Sequence, residues 1–195
     1  MAKEQKVSSS LITQSRLLTH RHLTALWRQP WFIGITLVQP MVWLLLFGAL
    51  FKPVVEIPGF EAESYYDFLV PGIVIMTAVF VSGWNGMGMI RDIDRGFVDR
   101  ILVSPSKRTP LIVGPLGSLC ASYLVQVVII VGVGSLVGAS YPGGALGILS
   151  MGICGALLAT SLGALSNGLA LLARKDETMI GVVTLFILPA VFMSG

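Results

Sequence analysis

Charge is scarce in this chain. Only 12% of its 195 residues are Asp, Glu, Lys or Arg, against about 25% in a typical soluble protein. Hydrophobic residues make up 54%, and the mean hydropathy is +0.84. So little charge cannot cover a water-facing surface, which excludes an ordinary soluble domain and points to an all-α, polytopic membrane helical bundle. Ligands for metals are as sparse. Cys120 and Cys154 both fall inside apolar runs, where cysteine acts as a small hydrophobe, so neither a disulfide framework nor a metal site is expected. His20 and His22 stand without a ligand cluster and read as solvated surface residues. No GxxxxGK[ST] phosphate loop occurs, so the chain is not expected to hydrolyse ATP itself, and no catalytic residue or bound cofactor is assigned. The net charge of +3 does not suggest nucleic-acid binding, because topology explains where the charges lie.

The apolar residues gather into runs of membrane-spanning length, about 20 residues or about 30 Å of helix. Five spans are expected, at about 31–51, 68–90, 111–138, 147–172 and 178–192. None contains Asp, Glu, Lys, Arg or His, the usual parts of proton relays and ion pathways. Pro40 is expected to kink the first span. Residues 1–30 precede it without the early apolar core of a cleavable signal peptide. Within them, 8–28 can form an amphipathic interfacial helix, with Leu11, Ile12, Leu18, Leu23, Leu26 and Trp27 opposite Arg21 and Arg28. The chain thus divides into a tail with its interfacial helix, 1–30, and a transmembrane domain, 31–195.

Basic residues fix the expected orientation. Five precede the first span, five lie between the second and third, and two follow the fourth, while Lys52 alone lies on the other side. By the positive-inside rule the N-terminus, the central loop and the Arg174 turn are cytoplasmic.

That central loop, RDIDRGFVDRILVSPSKRTP from Arg91 to Pro110, carries eight charges between two runs that carry none. Even one charge at the bilayer centre costs about 3 kcal/mol, so the segment is aqueous. Ile93, Phe97, Val98, Ile101 and Leu102 recur at helical spacing, and Ser104-Pro105 ends the pattern. A short amphipathic helix here is either a docking surface for a cytoplasmic partner or a helix lying on lipid headgroups. In the fourth span Gly155, Ala159, Gly163 and Asn167 form part of a small-residue face at four-residue spacing. Such a face lets another helix approach closely, either within one bundle or across a subunit interface.

These residues resemble a known family. Gly96, Ile101-Leu102, Ser104-Pro105 and Arg108 are similar to the cytoplasmic loop of type 2 ABC exporter permeases, and RKDETMIGVVTLFILPAVFMSG to their fifth span. Phe97-Val98 departs from the Thr and bulky residue that many members carry there. GFVDRILVSP resembles the drug and antibiotic exporters of the daunorubicin-resistance type, or lipo-oligosaccharide exporters.

The resemblance implies a permease subunit of the plasma (inner) membrane that exports a drug, lipid or glycan. ATP would be bound and hydrolysed by a separate cytoplasmic ATPase, and the permease would pair as a homodimer or related heterodimer among membrane lipids. Arg91, Asp92, Arg95, Gly96, Phe97, Asp99, Arg100, Ile101, Leu102, Ser104 and Pro105 would form the ATPase-coupling helix. Six spans with both termini inside are usual in the family, so the chain is expected to stop short of its sixth. Two other readings are a membrane-embedded phosphotransferase using Asp92, Asp94 and Asp99, and a non-transporting membrane scaffold.

Overall fold

The computed structural model describes residues 30–56, 64–103 and 109–193, and these are helical almost throughout, with no strand among them. The helices are α1 (Pro30–Val42), α2 (Tyr65–Asp94), α3 (Phe97–Leu102), α4 (Thr109–Val137), α5 (Gly144–Ala173) and α6 (Asp176–Met193). Among the described residues three helices are long and apolar enough to cross a membrane, namely Tyr65–Asp94, Ile112–Val137 and Gly144–Ala173. The first span is helical too, in a different form. Pro40 does not end it; α1 runs into a π-helical turn, Trp43–Phe47, and closes with Gly48–Leu50. Trp43 and Phe47 stack in this widened turn with ring centroids 4.4 Å apart. The expected interfacial helix at 8–28 lies outside the described residues.

α2 is the hub, packing against each of the other five helices. Ser64 caps it, its Oγ accepting from the Tyr66 N–H at 3.3 Å. Its 30 residues make about 45 Å of helix, longer than the hydrocarbon core. The sequence pattern ended this span at Ile90; the helix continues through Arg91–Asp94, because nothing in that tetrapeptide breaks a helix. α6 likewise begins at Asp176, earlier than the apolar pattern suggests, with Asp176 and Glu177 in a first turn whose dipole favours acids.

Two apolar clusters hold the bundle. The larger joins Tyr66, Val70, Ile73, Val74 and Ala78 of α2 to Leu119, Tyr123, Val127 and Ile130 of α4, with Leu44 and Ala159. The smaller joins Met89 and Ile90 of α2 to Ala170 of α5 and to Met179 and Val183 of α6. Outward-facing residues such as Leu136, Leu172 and Val128 are more than two-thirds exposed. In a bilayer such residues meet lipid tails rather than water.

Candidate functional site

The charged segment is built in two pieces. α2 ends where Arg95 N–H bonds the Arg91 carbonyl at 3.2 Å and Gly96 N–H bonds the Ile93 carbonyl at 2.8 Å. Gly96 then adopts φ +64°, a left-handed conformation that glycine takes without steric cost. The six-residue α3 restarts immediately, with Arg100 N–H on the Gly96 carbonyl at 3.2 Å. The single amphipathic helix from Arg91 expected from the sequence is therefore corrected to the last turn of α2, a glycine break and a separate α3. Apolar periodicity runs straight through Gly96, so it could not show the break.

Burial sorts the residues of this segment. Arg91, Arg95, Asp99 and Arg100 are exposed, and Gly96 is partly so. Asp92 is buried at 7% exposure and Val98 at 8%, so both turn into the bundle and are unavailable to a docking partner. Asp92, expected among the coupling-helix residues, is thus turned inward rather than out. Ile93 packs against the Met89, Ile90 and Met179 cluster. Phe97, Ile101 and Leu102 fall in α3, but their side chains lie outside the description, as do Ser104 and Pro105 entirely. Val103, which the sequence reading did not single out, follows α3 directly and is 87% exposed, its N–H on the Asp99 carbonyl. An apolar residue closing a charged loop was the signal that could have found it.

The small-residue face of α5 turns inward. Gly155, Ala159, Gly163 and Asn167 are all buried. A Cβ on Gly155 would overlap the Tyr123 hydroxyl, and one on Gly163 would meet Leu119 Cδ1 at 3.0 Å. Further along, α5 reaches α2 through polar groups. Asn85 Nδ2 donates to Asn167 Oδ1 at 3.0 Å, Gly86 N–H donates to Ser166 Oγ at 3.1 Å, and Ser166 Oγ donates to the Gly83 carbonyl at 2.8 Å. Ser166 was missed in the sequence because a single serine in an apolar run carries no distinguishing pattern.

The opposite end of the bundle is tied by one carboxylate. Asp67 Oδ1 accepts from the Ser140 N–H at 2.6 Å and Oδ2 from the Ser140 hydroxyl at 2.8 Å, fastening the turn between α4 and α5 to the start of α2. Beside it the Tyr141 hydroxyl donates to the Val131 carbonyl at 3.0 Å. Burial pushes the Tyr141 hydroxyl above the usual tyrosine range; its hydrogen bond with Ser135 opposes this and the charge of Asp67 adds to it. Among the described residues no three His, Cys, Asp or Glu side chains are grouped to hold a metal ion, and Asp92, Asp94 and Asp99 are no exception.

Comparison with known proteins gives this geometry a family. Residues 13–195 match the ABC-2 type transporter family. The ycf38 protein of Cyanophora paradoxa, named as a transport permease, is 31% identical over 195 residues, 98% of this chain and 67% of that protein. Its namesake in Pyropia yezoensis is 34% identical over 129 residues, 65% of this chain and 44% of that protein. The daunorubicin resistance ABC transporter permease protein DrrB1 of Streptomyces coeruleorubidus is 26% identical over 180 residues, 89% of this chain and 62% of that protein. The chain thus spans about half to two-thirds of the length of these relatives. No solved structure matches it significantly. A polytopic helical bundle with a charged, glycine-broken loop between its long spans, matched over nearly its whole length, belongs to the ABC-2 type transporter family.

Proposed function

We propose that this chain is the membrane-spanning permease subunit of an ATP-binding-cassette exporter, driven by a separate ATPase that docks on the segment from Arg91 to Pro105. The carrying observation is the form of that segment. Between two long apolar helices stands a short helix, set off by Gly96, that presents Asp99 and Arg100 outward, with the exposed Val103 directly after it. Charges around an exposed apolar group are the composition of a docking patch with a small hot spot. The basic bias of the same segment supports a cytoplasmic placement, where an ATPase subunit would meet it. Similarity to a protein named as a daunorubicin resistance ABC transporter permease supports export of a drug; a lipid or glycan as other cargo, ATP on the partner and no cofactor on this chain complete the proposal. Pairing of two permease chains belongs to the same proposal. The small-residue face of α5 is not the surface for it, because that face is filled within one chain.

The test is co-purification of a co-expressed ABC ATPase subunit with wild-type permease and with Phe97→Ala, Arg100→Glu and Val103→Asp, at matched expression. Membrane insertion should be unchanged in all three, since the residues lie beyond the apolar spans. Loss of a hot-spot contact should weaken ATPase capture about thirtyfold and lower export with it. Full capture and export by all three variants would show that the loop is a lipid-surface helix only. Asp176→Asn, in the short turn before α6, should have little effect.

A further inference from the structure

The two apolar clusters engage α2 at two levels, and α5 reaches both. From Tyr66 to Ala78 the helix packs with Leu119, Tyr123, Val127 and Ile130 of α4 and with Ala159 of α5. At Met89 and Ile90 it is packed with Ala170 of α5 and with Met179 and Val183 of α6. The stretch between them, GWNGMG, places three glycines in six residues, from Gly83 to Gly88. Glycine is a poor helix former because it loses the most backbone entropy.

At this stretch the neighbouring helix bonds to the main chain of α2 itself. The Ser166 hydroxyl spans from the Gly83 carbonyl, at 2.8 Å, to the Gly86 N–H, at 3.1 Å. A side chain that takes up groups belonging to a helix's own ladder marks a place where helices bend. Gly86 is required there, since a Cβ would stand 2.6 Å from the Ser166 carbonyl oxygen and 2.6 Å from Met179 Cε. One residue on, Asn167 bonds Asn85, yet its Nδ2 is buried without an acceptor. A buried donor left unpaired is unusual in a well-packed contact between helices.

We infer that Gly83–Gly88 is a hinge in α2, pinned by Ser166, about which the loop end of α2 swings as a lever together with α3 and the start of α6. Ser166 is a positioning residue, holding the two halves of α2 in register. The hinge rests on the three glycines of this stretch and on the bonds of Gly83 and Gly86 to Ser166. Its use, passing a stroke from the loop into the bundle, rests on the proposed docking of an ATPase at α3.

Hydrogen exchange on the permease alone, in lipid nanodiscs, tests the hinge. Amides from Gly86 to Met89 should exchange faster than those from Val70 to Ala78. Ser166→Ala should speed the former about tenfold, the effect of losing a hydrogen bond or two, and leave the latter unchanged. Ser166→Thr, which restores the hydroxyl, should return the rate toward wild type. Gly88→Ala should slow exchange, because a Cβ there meets nothing within 4 Å and only stiffens the helix. Uniform exchange along α2, or a Ser166→Ala profile like wild type, overturns the hinge whether or not any ATPase binds.

Spin labels test the lever, in a background with Cys120 and Cys154 replaced. The distance from Ile75 to Arg95 should change when the ATPase and a non-hydrolysable ATP analogue are added. The distances from Ile75 to Val128 and from Arg95 to Ile180, each on one side of the hinge, should hold. An Ile75–Arg95 distance that stays fixed with ATPase bound overturns the lever. Failure of the ATPase to bind refutes the docking proposal and leaves the exchange result to decide the hinge.

Discussion

Gly155 and Gly168 lie on the same helix and differ in what surrounds them. A methyl at Gly155 would run into the hydroxyl of Tyr123, which is fully buried and 3.4 Å from the Val74 carbonyl it donates to. At Gly168 a methyl would meet nothing within 4 Å. Gly155→Ala should therefore destabilise the protein by about 1–3 kcal/mol, the usual cost of overpacking. Gly168→Ala should be neutral or gain up to about 1 kcal/mol from helix propensity. Unfolding of both variants in mixed micelles checks this, and equal effects would show that the α4–α5 contact is looser than described. Asp67 offers a second case. Its carboxylate accepts two hydrogen bonds from Ser140, so Asp67→Asn should cost about 1 kcal/mol at this exposed site. Protease should then cut the turn between α4 and α5 more readily than in wild type.

At the scale of the element, α2 and α3 are two helices only because of Gly96. With φ +64° and no atom within 4 Å of a Cβ, the demand on this residue is conformational rather than steric. Gly96→Val should cost about 1–2 kcal/mol in the broken form. Gly96→Asn should be milder, since Asn tolerates the left-handed region. If α3 is the docking element, ATPase capture should fall in the order wild type, Asn, Val. Capture by Gly96→Val equal to wild type would show that the break plays no part in presenting α3. The same reasoning explains α1, where Pro40 fits within a helix whose next turn widens to a π turn rather than breaking.

For the whole molecule, the open question is which end faces which side of the membrane. The charged segment and the α5–α6 turn share one end with the smaller apolar cluster; Asp67, Ser140 and Tyr141 mark the other. Basic residues are concentrated at the first end, and we propose by the positive-inside rule that this end is cytoplasmic. Single cysteines at Val103 and Pro142, both exposed, should label from inside and outside respectively when Cys120 and Cys154 are replaced. Labelling of position 103 by an impermeant reagent in intact cells would reverse the orientation and remove the proposed ATPase site.

Composition and hydropathy alone determined the class of this protein. With 12% charge and runs of about 20 apolar residues, no other helical architecture hides its backbone polar groups. Charge also located the loop, and small-residue spacing the face of α5, because that face is periodic within a single helix. Spacing could not say what that face meets. Whether Gly155 and Gly163 receive Tyr123 and Leu119 of the same chain or a second subunit depends on how helices distant in sequence cross. Nor could it end α2, since charge permits a helix to continue and only backbone conformation reveals the break at Gly96. The inward turn of Asp92 and Val98 and the hydroxyl of Ser166 between Gly83 and Gly86 were set by tertiary packing alone. Each depends on the angle between two helices, and no pattern along one helix records that angle.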